Sequence, residues 1–296
     1  MQLDRIYTGD SANILRNKER FRSGSVDLII TSPPYGHKRK HVYGGIRPKN
    51  YVSWFLPIAE QLKRILKPTG SFILNIKEGA TNCERETYVI ELVLALRDQG
   101  WLWIEEFCWY KKNSFPGKWR HRFRDSWERC YHFARQKDFR MYQDAVKVPI
   151  GDWSNERFRS MSQKDYIRNV SGTNSKMGRN VANWLGRKKV YPHNVVVFEK
   201  EHYERPPNVL RFSTSCKNYN HSAVFPLELP TWFIKLFTRS GNVVLDPFMG
   251  VGSTAIAATL LNRSYLGVEI VPEYAQAARR RVGEARQLKK DSGIIA

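Results

Sequence analysis

Apolar positions in this chain follow two rhythms. Val26-Asp27-Leu28-Ile29-Ile30-Thr31 is a short apolar run bounded by turn-forming residues, which predicts a buried strand. Ser71–Ile76, entered through Pro68-Thr69-Gly70, predicts a second strand. Val243–Asp246 and Tyr265–Glu269 predict two more, and Leu102–Tyr110 and Cys130–Ala134 another two. Between the runs the spacing lengthens to three and four. Trp54, Phe55, Ile58, Leu62, Ile65 and Leu66 place an amphipathic helix over Tyr51–Lys67. Pro57 lies inside it and is expected to kink it or delay its start. Glu86–Asp98 (Val89, Leu92, Val93, Leu96), Leu227–Phe237 and Gly252–Leu261 predict further helices, and the tail from Arg279 reads as a charged helix end. Strands alternating with helices imply an α/β fold: a mostly parallel sheet with helices on both faces.

The middle of the chain breaks both rhythms. From Lys111 to Lys217 there are 24 Lys+Arg against 10 Asp+Glu, a net charge of +14. Val195-Val196-Val197-Phe198 is its one clear strand. Cations interleave with aromatics in Lys118-Trp119-Arg120-His121-Arg122-Phe123-Arg124, a pattern suited to nucleic acid. An inserted basic module is the expectation, ahead of a merely solvated basic face. The whole chain of 296 residues carries +21, from 49 Lys+Arg against 28 Asp+Glu. Such a field favours a polyanionic partner. With 42% hydrophobic and 26% charged residues, wholesale disorder is excluded. No apolar run approaches the ~18 residues of a membrane span, and Met1-Gln2-Leu3-Asp4-Arg5 lacks the basic-then-apolar form of a signal peptide. Cys83, Cys108, Cys130 and Cys216 are scattered without a CxxC pair. They read as reduced thiols of a cytoplasmic protein, neither a disulfide frame nor a metal site. His37 and His41 lack a third ligand and read as loop residues.

Two segments carry candidate chemistry. In Asp246-Pro247-Phe248-Met249-Gly250-Val251-Gly252-Ser253-Thr254 a strand ends, a glycine-bearing loop follows and a helix begins. Glycines there let backbone approach a ligand closely, at the strand ends where open α/β sheets bind. Glu269 ends the next strand 23 residues later, a place suited to hydrogen-bonding ribose hydroxyls. No Gly-Lys-Ser/Thr follows, so this is not a Walker loop. The second segment is Thr31-Ser32-Pro33-Pro34-Tyr35. Two prolines fix the backbone and withhold two N–H groups, presenting carbonyl acceptors. Ser32 adds a hydroxyl and Tyr35 an aromatic face. Acceptors beside a ring suit a planar base held by its amino group.

Together, and in this order, the two segments resemble the amino-methyltransferases that act on exocyclic nitrogens of DNA bases. Other pieces agree: Tyr7-Thr8-Gly9-Asp10-Ser11 ahead of the first strand; Leu62–Ser71 as the helix-to-strand link; Trp109-Tyr110-Lys111-Lys112-Asn113 with Glu128 following; and His221-Ser222-Ala223-Val224-Phe225-Pro226 leading to the glycine loop. The resemblance covers about residues 7–134 and 221–281. The tetrapeptide precedes the glycine loop with the basic stretch between, which is the permuted order called the beta class. The resemblance implies a Rossmann-like methyltransferase fold in three parts: 1–114, the catalytic half; 115–219, the target-recognition insert, with 128–135 returning to the core sheet; and 220–296, the cofactor half.

It also implies S-adenosylmethionine as methyl donor and no metal. Asp246, Gly250, Gly252 and Ser253 would shape its pocket, with Phe248, Phe225 and Pro226 on the methionine side. Glu269 would hold the ribose and Asp10 the adenine amino group. Ser32 and the Pro33 carbonyl would accept from the target amine, Pro34 would stiffen the ledge and Tyr35 would stack on the flipped base. Serine in the first position of the tetrapeptide goes with cytosine N4 in this family, ahead of adenine N6. A basic nucleic-acid-binding protein with a vestigial cofactor site is the rival from another class. Lys38, Arg39 and Lys40 in a glycine-flanked loop, the alternating Lys118, Arg120, Arg122 and Arg124, and Arg187-Lys188-Lys189 are the candidate phosphate contacts. The expected partner is duplex DNA. A restriction endonuclease acting separately is expected from family habit, and the protein is expected to be a monomer or weak dimer.

Overall fold

The computed structural model describes residues 1–36, 45–111, 121, 123, 125–150, 156, 159, 187–197 and 226–291. By contact the chain forms two compact units, 1–142 with 194–296, and 143–193. The larger unit holds an eight-stranded sheet among the described residues. Its strands are β1 (Arg5–Thr8), β2 (Val26–Thr31), β3 (Leu66–Ile76), β4 (Leu102–Tyr110), β5 (Trp127–Ala134), β6 (Val195–Val197), β7 (Val243–Asp246) and β8 (Ser264–Glu269). The order across the sheet is β1-β8-β7-β2-β3-β5-β4-β6. All neighbours are parallel except β5, which runs antiparallel to β3 and β4.

Strand composition explains this layering. Every residue of β2 is buried, as are those of β7, because both faces of a parallel sheet are covered. One face, bearing Ile29, Phe72, Leu74, Leu245 and Leu266, is sealed by α1 (Ser11–Ile14), α2 (Tyr51–Ile65) and α3 (Tyr88–Asp98). The other face packs on α4 (Glu228–Phe237), α5 (Ser253–Leu260) and α6 (Pro272–Asp291), with Phe107 meeting Trp232 and Phe233 at ring separations of 5.5 and 5.3 Å. The buried carboxylate of Asp27 is paid for in place: it accepts Lys67 Nζ at 2.8 Å and Val243 N at 3.0 Å.

Several boundaries correct the sequence reading. Helix α2 begins at Tyr51 in spite of Pro57. A proline at this depth removes a single i→i−4 bond, and the buried stripe of Tyr51, Phe55, Ile58, Leu62 and Ile65 outweighs that loss. Leu66 belongs to β3 rather than the helix. The strand starts at Leu66, takes Pro68-Thr69-Gly70 into its length and bulges between its pairings with Val26 and Leu28. Arg5–Thr8 is itself a strand, paired with β8, so Tyr7 and Thr8 lie within the first strand rather than ahead of it. Trp127–Ala134 extends three residues earlier than its apolar run.

Strand order creates the binding edge. From β7 the chain crosses through α5 to β8 on one side. From β2 it crosses through α2 to β3 on the other. The two paths diverge between β7 and β2, and ligands of open α/β sheets lodge at such a divergence. The loops that leave there are Pro247–Gly252 and Ser32–Gly36.

In the smaller unit, Val148–Pro149 pairs antiparallel with Lys189–Val190. Lys147 bonds Asp144 at 2.7 Å and lies over the Tyr191 ring, 4.6 Å from its centroid. Arg187, Lys188 and Lys189 are exposed there. No helix among the described residues is long and apolar enough to cross a membrane.

Candidate active site

Asp246 stands at the end of β7, 3% exposed. Its Oδ1 accepts Thr31 Oγ1 at 2.6 Å and Phe248 N at 3.0 Å, and its Oδ2 accepts Thr254 Oγ1 at 2.7 Å. Burial pushes its pKa up to about 6 against these three bonds, which favour the charged form. Thr31 is the last residue of β2, so this carboxylate ties the two loops at the divergence point to each other. Gly250 and Gly252 both adopt left-handed backbone, at φ 55° and 91°. A Cβ on Gly252 would stand 2.9 Å from the Ala278 Cβ of α6, so a side chain is excluded there on both counts.

Glu269 ends β8 and turns back on the same loop. Its Oε2 accepts Gly250 N at 2.7 Å and its Oε1 accepts Val271 N at 2.9 Å. Burial raises its pKa, with the Asp246 charge adding to the rise. Asp10 is drawn alongside, because Gly9 N donates to the Glu269 carbonyl at 2.9 Å and Ser11 Oγ donates to the Pro247 carbonyl. Asp10 Oδ1 caps α1 by accepting Asn13 N at 3.1 Å. Phe248 packs on Trp54 and Phe55, with ring separations of 5.6 and 6.3 Å.

The tetrapeptide leaves β2 on the other side of the divergence. Pro33 is buried, and the Pro34 carbonyl accepts Tyr51 Oη at 2.8 Å, which fixes the ledge on α2. Ser32 Oγ donates to Tyr35 Oη at 3.3 Å. Tyr35 Oη donates to Glu128 Oε2 at 2.9 Å and lies 3.3 Å from Asn75 Oδ1. Lys111 Nζ pairs with the remaining oxygen, Glu128 Oε1. Burial, then the Glu128 charge, holds the Tyr35 phenol well above its ordinary value, so it stays a neutral donor. The site is therefore two acidic loops and an aromatic ledge, joined by Thr31.

A family model described as DNA methylase, covering amino-N6 and N4 enzymes, matches residues 26–280. The chain belongs to the N6/N4 DNA methylase family. Among curated relatives, the type II methyltransferase M.PvuII of Proteus hauseri is 27% identical, over 92% of this chain and 82% of its own length. M.BglII of Bacillus subtilis is 26% identical over 93% of this chain and 68% of its own length. The solved PvuII DNA methyltransferase, titled cytosine-N4-specific, superposes with a TM-score of 0.67 at 22% identity, covering 97% of this chain and 92% of its own. A Thermus thermophilus protein solved in complex with S-adenosylmethionine superposes with a TM-score of 0.58 at 20% identity, covering 95% of this chain and 93% of its own. The methylase thus has the Rossmann-like methyltransferase fold, and its family chemistry is methyl transfer to DNA.

The structure brings most of the sequence-predicted site of the methylase together. Ser32, Pro33, Pro34, Tyr35, Phe248, Gly250 and Gly252 lie on the two loops at the divergence, while Asp246 and Glu269 end β7 and β8, Ser253 opens α5 and Asp10 caps α1. Pro226 accepts Leu229 N at 3.2 Å and opens α4; the contacts described do not join it to the glycine loop. Arg187, Lys188 and Lys189 belong to the smaller unit. Phe225, Lys38, Arg39, Lys40, Lys118, Arg120, Arg122 and Arg124 lie outside the described residues, as do His37, His41 and Cys216. Cys83, Cys108 and Cys130 are free thiols. Thr31, Tyr51, Asn75, Lys111, Glu128 and Thr254 take part in the site although the sequence assigned them no role there. Asn75 had a signal, being the lone amide in the apolar strand Phe72-Ile73-Leu74-Asn75-Ile76.

Proposed function

We propose that the methylase transfers the methyl group of S-adenosylmethionine to the exocyclic N4 of a flipped cytosine in duplex DNA. The observation that carries this reading is the orientation of the Ser32 hydroxyl. Its hydrogen is committed to Tyr35, so only lone pairs are left for a substrate. The two prolines that follow have no N–H to offer. This ledge presents acceptors, which suit an exocyclic amino group, and serine at its first position favours cytosine N4 over adenine N6.

The loops across the divergence fit the cofactor by their donor set. An adenosyl sulfonium brings hydroxyls, an amino group and a positive charge. Asp246 and Glu269 supply buried carboxylates, Asp10 a half-buried one, and Phe248 with Trp54 an aromatic wall that a cation favours. When bound, the cofactor supplies an electrophilic methyl group for in-line transfer. The chain does the rest by positioning. Glu269 orients the ribose end and Asp10 the adenine end. Ser32 Oγ and the Pro33 carbonyl accept the two amine hydrogens, which draws nitrogen toward a tetrahedral form and frees its lone pair. Tyr35 stacks on the ring while its hydroxyl is anchored below. No covalent enzyme intermediate is needed.

The test is mass spectrometry of nucleosides from unmethylated DNA of varied sequence, incubated with protein and S-adenosylmethionine. N4-methylcytosine is expected. N6-methyladenine would keep the methylase and overturn the base assignment, and no product would favour a binding protein with a vestigial site. Relatives named type II methyltransferases support a modification role beside a separate endonuclease, although M.BamHII of Bacillus amyloliquefaciens is named an orphan methyltransferase. Duplex DNA as the partner of a chain with +21 net charge predicts a salt law. The logarithm of the binding constant should fall linearly with the logarithm of salt, at about 0.9 per neutralised phosphate, in a filter-binding or anisotropy titration. A flat response would contradict phosphate contact.

A further inference from the structure

We infer that Ser32, Tyr35 and Glu128 form a one-way hydrogen-bonded relay whose far end, the Glu128 carboxylate, receives the proton released by the target amine. This rests on the amine-methylating reading above and adds the destination of the proton to it.

The geometry points inward at each step. Ser32 Oγ donates to Tyr35 Oη, and Tyr35 Oη donates to Glu128 Oε2 at 2.9 Å. Asn75 Nδ2 donates to the Arg129 carbonyl at 3.0 Å, which turns its Oδ1 toward the same phenol as a second acceptor. Glu128 can only accept, so the chain of donors ends on it, and the open end facing the substrate is a lone pair of Ser32. Hydrogen bonds aligned head to tail polarise one another, which strengthens that lone pair as an acceptor. Glu128 is 8% exposed, so bulk water is a poor competitor for this position.

Ionisable groups from several elements surround the carboxylate. Lys111 at the end of β4 pairs with Oε1, and Lys77 at the end of β3 faces the carboxylate. Lys77 is held in turn by the Trp127 carbonyl at 2.8 Å and by Asp125 at 3.5 Å. Among the described residues, Tyr35 from the loop after β2 and Cys130 on β5 itself also interact with it, and Glu78, Arg85, Asp125 and Arg129 line the same hollow. The step balances simply. As the amine nitrogen forms its bond to carbon, its N–H bond breaks toward Ser32 Oγ; the Ser32 proton moves to Tyr35 Oη and the Tyr35 proton to Glu128 Oε2. The products are a neutral methylamino group and a carboxylic acid that later gives its proton to solvent. Ser32 and Tyr35 touch the substrate and are the catalytic residues of the relay; Glu128 touches no substrate atom and acts through them.

Single-turnover methyl transfer in H2O and D2O tests this with Glu128→Gln, Tyr35→Phe and the double variant of the whole chain. Both substitutions keep shape, and Tyr35→Phe keeps the stacking ring. Each is expected to slow transfer by about 10²-fold, with S-adenosylmethionine and DNA affinities near wild type. The double variant should be no slower than either single one, because the relay acts as a unit. A solvent isotope effect seen in wild type should vanish in all three. A Glu128→Gln variant with the wild-type rate and isotope effect, or additive losses in the double variant, would overturn the relay while leaving the amine reading intact. Absence of any methylated base from the wild type would overturn both.

Discussion

Replacing Ser32 with alanine is expected to slow methyl transfer by about 10²- to 10³-fold, the scale seen when one preorganised polar partner of a reacting group is removed. Affinity for S-adenosylmethionine should stay near wild type, because Ser32 is tied to Tyr35 rather than to the Asp246–Glu269 loops. Calorimetric titration with cofactor and single-turnover transfer separate the two quantities. The loss should fall on the transfer step, since the hydroxyl is asked to hold the amine hydrogens most strongly as the nitrogen becomes tetrahedral. Loss of cofactor affinity with an unchanged transfer rate would refute the assignment. Ser32→Thr should retain part of the rate, for it restores a hydroxyl that can still donate to Tyr35.

Asp246→Asn separates binding from folding, and its two effects should have opposite signs. The substitution keeps shape and keeps the acceptor for Phe248 N, while Thr254 can become the acceptor of the new amide. It removes a buried charge. The Asp246 pKa is raised to about 6 in the folded chain from an ordinary 3.8. The folded state therefore holds a proton that the unfolded chain releases between those values, and stability falls as pH rises through that window. The charged carboxylate costs about 3 kcal/mol at neutral pH on this shift. Asp246→Asn should accordingly melt no lower than wild type at pH 8, and higher if its new amide is fully bonded. Its cofactor affinity should fall by about 10²-fold or more, the scale of a lost charge-assisted contact in a buried site. In wild type, cofactor affinity should weaken as pH drops below about 6, and the Asn variant should show no such dependence. Asp246→Ala is the contrast: it strips acceptors from Thr31, Thr254 and Phe248 N at once and should lower the melting temperature.

Much of the fold could be read in the chain because parallel strands buried on both faces are apolar throughout. Val26–Thr31 and Val243–Asp246 were legible to the residue for that reason. Leu66–Gly70 was not, because Pro68 and Gly70 read as a turn until the bulge against β2 is known. The ends of the site were legible too, since prolines and glycines leave a backbone signature in any sequence. Its side-chain partnerships were not. Glu128 meets Tyr35 only because β5 runs back beside β3 with Cys130 opposite Asn75, and Lys111 meets Glu128 only because Trp109 of β4 pairs with it. That register depends on pairing between distant segments, which no local pattern encodes. Tyr51, expected as a helix residue, also braces Pro34; an amphipathic stripe reports that a side chain is buried, and is silent about which carbonyl it meets.

The bond from Thr31 to Asp246 has a consequence for inheritance. Those residues stand 215 positions apart, yet each is buried and each satisfies the other. A valine at 31 would leave the carboxylate short of one donor; an alanine at 246 would strand two hydroxyls. Neither half of the gene can drift alone at these positions. Thr31, Asp246 and Thr254 should therefore be kept or exchanged as a trio, so that selection on the glycine loop is felt directly in the codon beside Ser32.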